Sequence, residues 1–160
     1  MSKFRFKSRA GGIIATIAIV ALIIVVAALA VTLFRPEMKT IGASAFSVGG
    51  LNDTGEYVEN EQSIYTKNLI ECDGLTIERD FESTVKYEVF FYDEEKNFIE
   101  SSGELEGNFA EEMIPEGAKY CRIMITPEIP EDVDAEDFKI GVFKVRGYAK
   151  QLTVKVDRKQ

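Results

Sequence analysis

The chain has neither histidine nor tryptophan among its 160 residues, and only two cysteines and four prolines. Without histidine it lacks a principal zinc ligand and the usual general base at neutral pH. Ser–His and Cys–His nucleophilic pairs are excluded outright. Acidic side chains are missing from residues 1–36, where five basic ones stand: Lys3, Arg5, Lys7, Arg9 and Arg35. Charge of either sign is missing from residues 11–34, which are mostly Ile, Val, Ala and Leu.

That uncharged run is the most informative thing present. As a helix, its 24 residues span about 36 Å at 1.5 Å each, enough to cross a hydrocarbon core about 30 Å thick with some tilt. The expected division is a basic cytoplasmic tail (1–10), one transmembrane helix (11–34) in the lipid bilayer, a short stalk (35–39) and an extracytoplasmic domain (40–160). Basic flanks stay on the cytoplasmic side, which sets this orientation and places the chain in the cell membrane as a single-pass signal-anchor. The alternative is secretion after cleavage near Ala30, because Ala28-Leu29-Ala30 fits a small-x-small site. The run continues past it through Val31, Leu33 and Phe34, and it is longer than a signal h-region of about 7–15 residues, which favours the anchor.

The remainder, residues 37–160, holds 14 basic and all 27 acidic side chains, a formal charge of −13. Nucleic acid is therefore not an expected partner, since it needs a basic footprint. About 120 residues suffice for one domain with its own core. Alternation with period two dominates it. Strands are predicted over 40–48, 63–66, 68–72, 75–79, 85–92, 98–101, 119–126, 139–146 and 151–156. Turn chemistry separates them at Gly49-Gly50, Asn52-Asp53-Thr54-Gly55, Asp93 to Asn97 and Pro115-Glu116-Gly117, with Asp73-Gly74 as a hairpin signal. Many short strands between frequent turns predict an all-β, antiparallel β-sandwich behind the one N-terminal helix.

Three stretches resemble a known module. They are Gly50-Leu51-Asn52-Asp53-Thr54-Gly55 with Ile64-Tyr65-Thr66, then Val89-Phe90-Phe91-Tyr92-Asp93 with Asn97-Phe98-Ile99, then Ile114 to Ile123. Residues 49–126 are similar to the carbohydrate-binding-module-like jelly-roll β-sandwich of phage tail, receptor-binding and bacterial surface proteins. The resemblance implies a jelly-roll topology and a glycan-binding role.

Within strand 85–92, Val85, Tyr87, Val89 and Phe91 share the better core face, and Lys86, Glu88, Phe90 and Tyr92 share the other. Tyr120 and Arg122 lie likewise on one face of strand 119–126. Phe90, Tyr92, Tyr120 and Arg122 are therefore the candidate ligand-binding platform, with rings to stack on a sugar and a guanidinium to grip a carboxylate. The competing reading makes the rings a second apolar face and pairs Arg122 with a carboxylate such as Asp93. Asp132, Asp134 and Glu136 are weak calcium candidates in an acidic loop that lacks the EF-hand glycine and terminal glutamate. Cys72 and Cys121 allow one disulfide, but their alternation with neighbouring isoleucines favours two buried thiols. No cofactor is called for. The expected function is a non-enzymatic, membrane-anchored binding module for an envelope glycan or protein. The alternatives are a structural or assembly subunit of a membrane complex and, remotely, a hydrolase.

Overall fold

The computed structural model describes residues 19–26 and 37–158. The chain divides into two compact units, Met1–Pro36 and Glu37–Gln160. In the first, residues 19–26 are helical and exposed. The rest of the expected span, the basic tail 1–10 and the cleavage position near Ala30 lie outside the described residues. Among the described residues, no helix is long and apolar enough to cross a membrane.

The second unit is mainly β and antiparallel. Its strands are β1 (Glu37–Ile41), β2 (Phe46–Val48), β3 (Gly50–Leu51), β4 (Tyr57–Val58), β5 (Ile64–Thr66), β6 (Ile70–Glu71), β7 (Thr76–Arg79), β8 (Val85–Tyr92), β9 (Phe98–Ser101), β10 (Tyr120–Pro127) and β11 (Leu152–Arg158). The larger sheet runs β2-β5-β10-β8-β9, with β6 also on β10; the smaller runs β1-β11-β7; β3 and β4 form a separate hairpin. One buried cluster draws on both sheets, with Tyr87, Val89, Ile123 and Ile125 from the larger and Ile77 and Val154 from the smaller. The arrangement is β-sandwich-like, and its core lies wholly between residues 46 and 156. This unit therefore carries what a domain needs to fold on its own.

The longest strands follow from their alternation. Val85, Tyr87, Val89 and Phe91 of β8 are at most 1% exposed and face the core. Cys121, Ile123 and Ile125 of β10 do the same, each fully buried. The two strands pair along their whole length, from Tyr120 opposite Tyr92 to Pro127 opposite Val85. The proline ends the strand, where a missing N–H costs least. Between β9 and β10, Leu105 pairs with Tyr87 and Phe109 with Ile77, so one loop edges both sheets. The Tyr87 hydroxyl donates to the Gly107 carbonyl at 2.7 Å and holds that loop.

Four local expectations are corrected. The stretch 40–48 is not one strand: a 3-10 turn at Ala43–Ala45 breaks it, leaving β1 in the smaller sheet and β2 in the larger. Residues 37–39 of the expected stalk are part of β1, paired with β11. Asp73-Gly74 does turn the chain, with the Leu75 N–H donating to the Cys72 carbonyl at 3.1 Å, but β6 and β7 enter different sheets, so no hairpin forms. Residues 142–149 of the expected strand 139–146 and beyond are a helix, Val142–Ala149. Its buried residues, Val145 and Ala149, stand four apart, the spacing of one helical face.

The break between β5 and β6 is bridged by a side chain. Tyr65 pairs with Met124, and Ile70 with Cys121, on the same edge of β10. Between these pairs the Ile123 N–H donates to the Thr66 hydroxyl oxygen at 3.0 Å in a buried position. The hydroxyl replaces the backbone acceptor that a continuous strand would supply.

Candidate functional site

The outward face of the larger sheet brings the four platform residues together. Tyr120 lies opposite Tyr92 and Arg122 opposite Phe90 in the β8–β10 register. They do not form an open stacking surface. Phe90 is 2% and Tyr92 6% exposed, and both pack with Leu51 in a second apolar cluster bordered by Tyr65, Leu69, Phe98, Tyr120 and Met124.

The β3–β4 hairpin is the cover. Gly49 (φ 141°) starts it, and a Cβ there would stand 2.7 Å from the Tyr57 ring and 2.8 Å from the Tyr65 ring. These rings pack 5.3 Å apart between centroids, and glycine alone permits that approach. The Leu51 N–H reaches the Met124 sulfur at 3.3 Å. At the tip, the Asn52 side-chain oxygen accepts from the N–H groups of Thr54 (3.0 Å) and Glu56 (2.9 Å), closing the turn that its sequence announces. The Tyr92 hydroxyl donates to the Gly55 carbonyl at 2.5 Å and ties the tip to the sheet. Burial raises the Tyr92 hydroxyl pKa, with the nearby Arg122 guanidinium pulling the other way.

Arg122 and Tyr120 remain half-buried on this face. The Arg122 Nε is buried and has no hydrogen-bond partner among the described residues. Asp93, the carboxylate offered as its partner, is engaged elsewhere: its two oxygens accept from the Asn97 backbone N–H at 2.8 Å and side-chain amide at 2.9 Å. Those bonds, the side-chain one first, hold the Asp93 carboxyl below its ordinary pKa. An arginine edge buried among apolar groups is costly unless something accepts from it.

Asp132, Asp134 and Glu136 are exposed in the turn-rich loop after β10. Among the described residues, no three His, Cys, Asp or Glu side chains converge as metal ligands. Cys72 and Cys121 are both buried thiols. Burial above all, and then the neighbouring Cys72, pushes the Cys121 thiol well above its ordinary range, which makes it a poor nucleophile.

A second feature was not anticipated from sequence. A cleft of about 880 Å³ opens between the helix Val142–Ala149, the β1–β2 segment and β11. Phe46, Val145, Ala149 and Leu152 form its buried floor, and Lys67, Arg146 and Lys150 stand exposed around it. Arg146 and Lys150 are four apart, a spacing that marks one side of a helix only once the helix is recognised. No family model, curated protein or solved structure matches this chain.

Proposed function

We propose that the chain is a membrane-anchored, extracytoplasmic, non-enzymatic binding module for an envelope glycan or protein. The uncharged run 11–34, flanked by Lys3, Arg5, Lys7 and Arg9 on one side, supports an anchor with its basic end inside. The antiparallel sheets and the residue resemblance over 49–126 support a jelly-roll of the carbohydrate-binding type. The contact face is the outer surface of the larger sheet at Tyr120 and Arg122, with Phe90 and Tyr92 beneath as its rigid support.

One observation carries this reading: the half-exposed Arg122 guanidinium beside Tyr120, whose Nε finds no acceptor among the described residues and whose expected partner Asp93 is held by Asn97. A guanidinium beside a tyrosine suits a ligand carboxylate held by paired N–H donors. Acidic polysaccharide is the first ligand to test. Residues 37–160 are expected to bind a uronate-bearing polysaccharide saturably, and Arg122→Met to weaken binding at least tenfold. Because the methionine removes a buried Nε that has no acceptor among the described residues, folding stability is expected to stay within about 1 kcal/mol of the parent. Undiminished binding by a folded Arg122→Met protein would reject this face.

An assembly subunit is the second reading. Phe81 and Phe143 are almost wholly exposed, at 101% and 99%, as suits contact with another protein. Full-length chain extracted in mild detergent would then co-purify with a defined partner, and Phe81→Ser or Phe143→Ser would release it.

A further inference from the structure

We infer that the cleft beside the helix Val142–Ala149 binds the acyl chain of a monomeric anionic amphiphile, a fatty-acid or lysophospholipid type of molecule, with its carboxylate or phosphate held by Lys67, Arg146 and Lys150. Two independent features support this. The first is shape and lining: a cleft of about 880 Å³ with an apolar floor of Phe46, Val145, Ala149 and Leu152, within the 300–1,000 Å³ range of small-molecule sites.

The second is charge. Residues 37–160 carry 13 more acidic than basic side chains, yet the cleft lining contains three cations and no Asp or Glu. Among the described residues, ion pairs join Lys86 with Glu104 and Glu106, Lys119 with Asp73, Lys139 with Glu61, and Lys155 with Glu78. Among the described residues, Lys67, Arg146 and Lys150 join none of them. A neutral apolar ligand would have no use for this cation set, and a purely ionic ligand no use for the apolar floor. Val142 lines the mouth and is 79% exposed, so an apolar side chain stands where a tail would enter.

The test uses residues 37–160 and three probes, each below its critical micelle concentration where it has one. Dodecyl phosphate is expected to bind once per domain. Dodecyl maltoside, with the same tail and no charge, is expected to bind at least tenfold more weakly, and inorganic phosphate weaker still. The exposed triple change Lys67→Gln, Arg146→Gln, Lys150→Gln should cost dodecyl phosphate at least tenfold and leave dodecyl maltoside unaltered. Val142→Asp, also exposed, should weaken dodecyl phosphate without altering the melting temperature by more than a few degrees.

Equal affinity for the two dodecyl probes would overturn the assignment. So would binding to vesicles of anionic diacyl lipid with no binding of monomeric dodecyl phosphate. These results are separable from the polysaccharide test, because Arg122 does not line this cleft.

Discussion

Thr66→Val is the sharpest test of how the larger sheet is held together. Thr66 is fully buried, and its hydroxyl is the acceptor for the Ile123 N–H at the break between β5 and β6. Valine nearly preserves the shape but removes the acceptor, leaving a backbone donor stranded in the middle of β10. Such a group costs about 1–3 kcal/mol, partly offset by the more apolar methyl. A net loss of about 2 kcal/mol corresponds to a melting temperature lower by roughly 6–10 °C for a domain of this size. Thr66→Ser separates the causes: it keeps the acceptor and loses only a methyl, about 1 kcal/mol. Thermal and urea unfolding of residues 37–160 give the magnitudes. Amide exchange at Ile123 localises the effect, with faster exchange in the valine protein and retained protection in the serine protein. A valine variant as stable as the parent, with Ile123 still protected, would refute the bridging role.

Three further outcomes follow from single observations. Lys96 sits in the β8–β9 turn with φ 69°, where a Cβ costs about 1 kcal/mol or more; Lys96→Gly recovers this, less the added freedom of the unfolded glycine, for a gain of about 0.5 kcal/mol in urea unfolding. Asp93 has a folded pKa below its ordinary 3.8, so its contribution is complete above that value and is lost as pH falls through the depressed folded value. The acid limb of the stability profile should therefore be shallower in Asp93→Asn, and an unchanged limb would contradict the turn geometry. Tyr92→Phe removes the hydroxyl that ties the hairpin tip to the sheet at Gly55; a loss of about 1 kcal/mol is expected, with faster proteolysis confined to residues 52–56.

The strands that were legible are the long, largely alternating ones and one set off by turn residues. The ranges 85–92 and 98–101 coincide with β8 and β9, and 119–126 is shifted from β10 by one residue. β8 and β10, at eight residues each, are long enough for alternate side chains to declare a face, whereas the four residues of β9 were marked by the turn before them. The helix Val142–Ala149 was not legible because Phe143-Lys144-Val145-Arg146 alternates apolar and charged residues with a period of two, which also suits a strand. Only packing shows that Val145 and Ala149 are buried while Val142 and Phe143 are exposed. The platform at Phe90, Tyr92, Tyr120 and Arg122 was legible as a shared face, since register and period place it. Its covering was not, because β3 and β4 are two residues each, too short to show which sheet they fold across.

The chain by itself determined its uncharged N-terminal run, the charge contrast between residues 1–36 and 37–160, the β class and the inward faces of its long strands. Those depend on neighbours in sequence: a run of apolar groups, a sum of charges, a period of two. Tertiary structure alone decided that Thr66 completes the hydrogen bonding of β10 and that the β3–β4 hairpin buries Phe90 and Tyr92. It also decided that Arg122 Nε is left without an acceptor among the described residues and that Lys67 joins Arg146 and Lys150 around one apolar cleft. Each of these depends on which residues far apart in the chain the fold brings together, and so does whether a polar atom finds a partner.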